Sequence, residues 1–198
     1  AKQALSADDP VMAGIIGNYA GEYLSGKGDP FLTLARAIVG QQISVKAADS
    51  VWNKLEAGLG GTVATAPILA QTEEEMRAHG LSRQKITYLK DLARYFTEEK
   101  PVIAHWQDMS DEELIKSLTS IRGIGRWTAE MFLIFHLMRP DVFPVDDIGL
   151  QKAIFNHYFH GEKQPLAAIR AFGKQWQPYR SVATWYLWRS LDPVPVEY

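Results

Sequence analysis

The sequence has no cysteine among its 198 residues. That excludes disulfides, thiolate-ligated zinc, a cysteine-held iron–sulfur cluster and a thiol nucleophile, and it suits a reducing compartment. No apolar run approaches the roughly 18 residues of a membrane span, and the opening AKQALSADDP has no apolar signal core. Alternating strand-like runs joined by hairpin turn pairs are missing as well. Net charge is small, at −2. Its distribution is uneven: a surplus of three positive charges lies between Ile115 and Arg139, four lie between Arg170 and Arg189, and the rest of the chain has a net charge of −9. A near-neutral total can conceal one basic face, and the face is what a phosphate backbone meets.

What is present has helical spacing. Asp8 or Asp9 before Pro10 reads as an N-cap and N1 pair and predicts a helix reaching Tyr23. Pro30 opens FLTLARAIVG, and Ser44 caps a segment that stops at Gly58–Gly61. Thr72 with Glu75 and Ser110 with Glu113 have the capping-box spacing. Ser82 opens a helix through Phe96, and apolar periodicity continues over Arg126–Met138, Ile148–Phe159, Pro165–Trp176 and Tyr179–Leu191. Gly58–Gln71 and Arg139–Asp146 remain irregular. The fold class is all-α.

The segment Leu118–Leu137, LTSIRGIGRWTAEMFLIFHL, ends one helix, turns through Gly123-Ile124-Gly125 and starts another. Glycines let backbone N–H groups approach a ligand, and the second helix points its positive end at the same place. Arg122 and Arg126 flank the turn. The bland alternative is a tight αα-hairpin whose glycines serve turn geometry alone. The pair Asp146-Asp147 precedes the helix at Ile148; one carboxylate can cap that helix while the other is offered to chemistry. Gln41-Gln42 lies in a turn between helices, as caps for exposed backbone or as side chains aimed at a ligand. Six tryptophans are many for this length, and aromatics crowd Trp176–Trp188, as core or as pocket wall. The five histidines show no metal-ligand grouping, so catalytic zinc is not expected.

Four passages, GQQIS at Gly40–Ser44, GLSRQKITYLKDLA at Gly80–Ala93, GIGRWTA with DVFPVDD across Gly123–Asp147, and WQPYRSVATWYLW at Trp176–Trp188, resemble the helix–hairpin–helix DNA glycosylase superfamily, in its 3-methyladenine DNA glycosylase II branch. The resemblance runs from Pro30 to Trp188 in order and spacing. It implies two helical subdomains flanking a cleft, residues 30–139 bearing the hairpin and 1–29 with 140–198 forming a discontinuous second one. The implied activity is monofunctional base excision: flipping out alkylated purines such as 3-methyladenine and 7-methylguanine and hydrolysing them to leave an abasic site. Other readings are the same fold acting on deaminated, oxidised or mispaired bases, and a non-catalytic lesion-binding protein.

The family's catalytic aspartate maps to Asp147, with Asp146 as the helix cap and the swap as the alternative. Trp127 stands where strand-cleaving members carry a Schiff-base lysine. Trp127 and Trp188 match walls of the base pocket, and Met131 replaces a family aromatic with a softer wall. Gly123, Gly125, Arg122, Arg126 and Thr128 are implied on the DNA backbone, and Arg180 either there or on an aspartate. Gln42, with Gln41 second, is implied to fill the gap left by the flipped base. Backbone carbonyls of Thr119, Ile121 and Ile124 would hold a structural Na or K ion; catalysis would use no cofactor. The expected partner of a monomeric, membrane-free protein is double-stranded DNA with alkylated bases, in a bacterial nucleoid or a nucleus.

Overall fold

A computed structural model describes residues 1–26, 28–98 and 103–192, and no β-strand occurs among them. Helices start where side chains serve the open amides of a first turn. After α1 (Lys2–Ala7), α2 (Pro10–Asn18) and α3 (Pro30–Gly40) each begin with an Asp N-cap followed by Pro. Ser44 caps α4 (Val45–Gly58). Beyond α5 (Thr65–Ala70), α6 (Glu73–Ala78) and, after α7 (Arg83–Glu98), α8 (Asp111–Thr119) are opened by complete capping boxes: Thr72 or Ser110 accepts the N3 amide and Glu75 or Glu113 returns to the N-cap amide.

Lys27–Phe132 forms one compact unit. Its long helix α7 packs against α3, α5 and α6, and α3 packs against α4. Leu34, Ile38, Leu55, Leu89, Leu92 and Leu114 are fully buried there. An edge-to-face chain runs Phe31–Phe96–Trp106–Phe132, with centroids 5.4, 5.6 and 5.4 Å apart. The unit boundary falls inside α9 (Arg126–Phe135).

Ala1–Gly26 and Leu133–Tyr198 form the other unit, with α1, α2, α10 (Ile148–Tyr158), α11 (Leu166–Phe172), a 3-10 turn at Gly173–Trp176 and α12 (Arg180–Arg189). Nearly all of α12 from Ser181 onward is buried, so it is the central helix of this unit, packed by α2 and α10. Buried charge is matched. Asp9 caps α2 through Oδ1 and accepts Tyr158 Oη and Trp176 Nε1 on Oδ2, at 2.8 and 3.0 Å. Arg189 forks onto Glu22 at 2.8 and 2.9 Å.

Several boundaries differ from the expected ones. α2 stops at Asn18 because the Tyr19 amide closes on Ile16 O, an i→i−3 bond that ends the helix. The segment expected to be helical over Pro165–Trp176 splits at Gly173 into α11 and the 3-10 turn. α5 lies in the stretch read as irregular: Ala64 offers no side-chain cap, and the helix is held by burial of Ile68.

Candidate functional site

In the unit Lys27–Phe132 the chain leaves α8 at Thr119 and reverses into α9. The Ile121 amide donates to Leu118 O and the Ile124 amide to Ile121 O, both at 3.1 Å. Gly123 has φ +87, and a Cβ there would run into the Tyr88 ring. Gly125 gives its carbonyl to the first bond of α9, from Ala129 N at 3.0 Å. It has no side chain to serve the amides of Arg126, Trp127 and Thr128, which precede that first bond. A Cβ on Gly125 would meet nothing within 4 Å, so the approach to this helix end is open. The chemistry is that of an anion site.

The flanking arginines are not held out toward a ligand. Arg126 Nε donates to Glu130 Oε1 at 3.0 Å, and both its terminal nitrogens engage Glu112. Hydrogen bonding to Glu112 pushes the Arg126 guanidinium above its ordinary range. Glu130 is only 4% exposed, so Arg126 neutralises a buried carboxylate. Arg122 Nε lies 3.4 Å from Asp91 Oδ2 in an open surface pair, which is worth little. Arg126 is thus held by Glu112 and Glu130 and does not extend from the hairpin.

The GQQIS turn belongs to the same unit. Gln41 Nε2 donates to Gly123 O at 2.7 Å, so this glutamine is a tie between the turn and the hairpin. Gln42 is exposed and has φ +59, a left-handed conformation unusual outside glycine. A polar cavity of about 380 Å³ is lined by Gln41, Gln42, Ser82, Gln84, Lys85, Tyr88 and Gly123–Gly125. Lys85 Nζ donates to Val39 O at 2.7 Å, and partial burial holds its ammonium below the usual lysine range.

In the other unit, Asp147 is the N-cap of α10: its Oδ1 accepts Leu150 N at 2.6 Å. The expected division, Asp146 as cap, is corrected. Asp146 is exposed and 3.9 Å from Arg170. The same Oδ1 of Asp147 accepts the indole N–H of Trp188 at 2.8 Å. Trp188 is buried and lies flat against Phe135, with centroids 5.9 Å apart and planes 14° apart. Gly149 makes room for this pair, since a Cβ there would lie 3.1 Å from Asp147 Oδ1 and 3.3 Å from Trp188 Cδ1. Neither Gly149 nor the Trp188–Asp147 bond is visible in the sequence, because the bond spans 41 positions.

Arg180 is an internal clamp. Its Nε and Nη2 meet Asp141 Oδ1 and Oδ2 at 2.8 and 2.9 Å, and Nη2 also reaches Asp141 O at 3.0 Å. Of the two alternatives for Arg180, this is the aspartate contact. The expected basic face dissolves for the same reason: Arg126, Arg180 and Arg189 pair with Glu112 and Glu130, Asp141 and Glu22 respectively, acids that sequence counting assigned mostly to other segments. Of the base-pocket candidates, Trp127 keeps 38% of its surface exposed, whereas Met131 is buried. Thr128 stands half-buried in the first turn of α9. Among the described residues no group of three or more His, Cys, Asp or Glu could hold a metal ion, and no helix is long and apolar enough to cross a membrane.

Residues 35–178 match the family described as HhH-GPD superfamily base excision DNA repair protein. DNA-3-methyladenine glycosylase 1 of Schizosaccharomyces pombe is 35% identical over 183 residues, covering 89% of this chain and 78% of that protein. The crystal structure of DNA-3-methyladenine glycosidase from Bacillus halodurans superimposes with a TM-score of 0.87 at 34% identity, over 95% of this chain and 87% of that one. The S. pombe 3-methyladenine DNA glycosylase Mag1 in complex with abasic DNA gives a TM-score of 0.78 at 32% identity, over 96% and 95%.

Proposed function

This chain belongs to the HhH-GPD superfamily of base excision DNA repair proteins, and we infer that it is a DNA glycosylase that removes alkylated bases. The observation that carries the reading is the Asp147 carboxylate, fixed at the start of α10 by the Leu150 amide and the Trp188 indole. Breaking the C1′–N bond builds positive charge on the sugar. A carboxylate held beside C1′ stabilises that oxocarbenium character and orients the attacking water. Water adds to C1′ and gives up one proton through Asp147 to solvent, the base leaves with the bonding electron pair, and the strand keeps an intact phosphodiester at an abasic site.

An N3- or N7-alkylated purine is already cationic, so it departs as a neutral molecule without a protein acid. Aromatic faces favour such a cation, which suits Trp127, the tryptophan with open surface; Trp188 serves to hold Asp147. Trp127 offers no amine, so no Schiff base forms there and the enzyme is monofunctional. The substrate is double-stranded DNA with alkylated bases, met by a monomer wherever the chromosome lies. Its backbone is gripped by amides around Gly123, Gly125 and Thr128, and Gln42 occupies the space of the extruded base.

The hairpin also suits a monovalent cation, Na or K, on the carbonyls of Thr119, Ile121 and Ile124. These are hard oxygen donors on a turn, and Ile121 O, which accepts the Ile124 amide, has a second lone pair. When bound, the ion supplies fixed positive charge beside a phosphate; catalysis uses no cofactor.

The test is a panel of duplexes each carrying one lesion, incubated with the protein and then cleaved with alkali at abasic sites. Release of 3-methyladenine or 7-methylguanine, with no cutting before alkali and no adduct trapped by borohydride, supports the reading. Release confined to oxidised, deaminated or mispaired bases overturns the substrate class. Cutting with a trapped adduct overturns monofunctionality.

A further inference from the structure

Two side chains tie the Gln42 turn to its neighbours, and both bonds end on backbone carbonyls. Gln41 Nε2 reaches Gly123 O across 82 positions, and Lys85 Nζ reaches Val39 O across 46, each at 2.7 Å. Val39 sits in the last turn of α3. Carbonyls there lack intrahelical partners and carry the negative end of the helix dipole, so an ammonium answers both needs. Directly after these two anchored residues stands Gln42 at φ +59. A non-glycine residue keeps that conformation when its surroundings impose it. Among the described residues, Gln42 has no side-chain hydrogen-bond partner. The residue before it is anchored, and Gln42 lines the cavity shared with Gly123–Gly125 and Lys85.

We propose that Gln41 and Lys85 are positioning residues that hold Gln42 in its base-displacing geometry, and that the Gln41–Gly123 bond couples this turn to the phosphate-gripping hairpin. The proposal rests on the reading of Gln42 as the residue that fills the gap. Its physical content is a short linkage. A phosphate bound at the hairpin amides fixes the Gly123 peptide. Gln41 is held by that peptide's carbonyl, and Gln42 follows directly. Lys85 fixes the end of α3 that leads into the same turn, through Val39. Base displacement is then strongest when the backbone is properly seated.

The experiment uses the full chain and two duplexes, one carrying 7-methylguanine beside a 2-aminopurine whose fluorescence rises on unstacking, the other already abasic. Gln41→Leu loses one neutral hydrogen bond and is expected to slow extrusion about two- to tenfold; Lys85→Met loses a charged one and is expected to slow it about tenfold or more. Lys85→Arg, which still donates to Val39 O, recovers most of the rate. Affinity for the abasic duplex stays near wild type in all of them, because no base has to be displaced, and this binding also reports that each variant is folded. The double variant Gln41→Leu/Gln42→Ala is no slower than Gln42→Ala alone, since one residue acts through the other.

Wild-type extrusion in Gln41→Leu overturns the proposal, as do additive losses in the double variant. A parallel fall in abasic-duplex affinity reduces both residues to structural supports and overturns it too. Normal extrusion in Gln42→Ala by an otherwise active protein removes the gap-filling reading and this proposal with it, and leaves the glycosylase assignment standing. A wild-type protein that extrudes no base from any lesion duplex contradicts the assignment itself.

Discussion

Trp188 donates its indole N–H to the same Asp147 oxygen that accepts the Leu150 amide, at 2.8 and 2.6 Å. The carboxylate is thereby oriented by a helix end and by a ring, and the ring is in turn fixed against Phe135. Trp188→Phe separates these duties, keeping the stack and deleting the N–H. Hydrogen bonds to charged groups are worth about 1.5–3 kcal/mol. Single-turnover base release is expected to fall about tenfold or more, with abasic-DNA affinity retained. An unchanged rate would mean that the indole serves packing alone.

Gly149→Ala tests the same pair from the other side. Gly149 lies in the first turn of α10, where alanine's advantage over glycine is smaller than the about 1 kcal/mol of a helix interior, so the thermal midpoint should change little. The new Cβ, however, would lie 3.1 Å from Asp147 Oδ1 and 3.3 Å from the Trp188 ring. The expected outcome is a slower chemical step in an equally stable protein, read by single-turnover kinetics beside a melting curve.

The Arg126–Glu112 pair makes the hairpin less positive than its sequence suggests. Glu112→Gln should release the guanidinium toward phosphate. DNA affinity then rises on all sequences alike, and its salt dependence steepens by up to about one phosphate's worth of counterion release. Arg126→Ala should leave the salt slope nearly unchanged and remove one cation from beside the buried Glu130 instead. Titrations with undamaged duplex at several salt concentrations distinguish the two.

Acid stability should depend on Asp141. Partial burial raises its pKa, but hydrogen bonds from Arg180 outweigh that and hold the carboxyl below the usual range. A group depressed in the folded state contributes stability above its unfolded value, about 3.9 for Asp, and loses it as pH falls through the folded value. Asp141→Asn should therefore be less stable at neutral pH, and its stability should decline less steeply on acidification. Urea denaturation along a descending pH series measures both.

Local chemistry was legible in the chain and distant pairing was not. The capping boxes at Thr72/Glu75 and Ser110/Glu113, the Asp9-Pro10 start and the Gly123–Gly125 turn are short-range patterns, and the helices follow them. α5 was hidden because it has no capping side chain and depends on burying Ile68. The arginines misled for a physical reason: a charge count sees Arg180 as surplus, whereas Asp141 neutralises it from 39 positions away. The Asp146-Asp147 pair offered two equally good N-caps, and only the folded backbone selects the second.

The most direct test of the account is the single-turnover release of 7-methylguanine by wild type and by Asp147→Asn. Asparagine is as good an N-cap as aspartate, and its carbonyl oxygen can still accept from Leu150 and Trp188, so the substitution removes charge and preserves the local architecture. Loss of a main electrostatic catalyst costs about 2.7 kcal/mol or more, at least about a hundredfold in rate. The expected result is a loss of that size with lesion-duplex binding intact. Wild-type turnover in Asp147→Asn, together with an inactive Asp146→Asn, would contradict the account and transfer the chemistry to the neighbouring carboxylate.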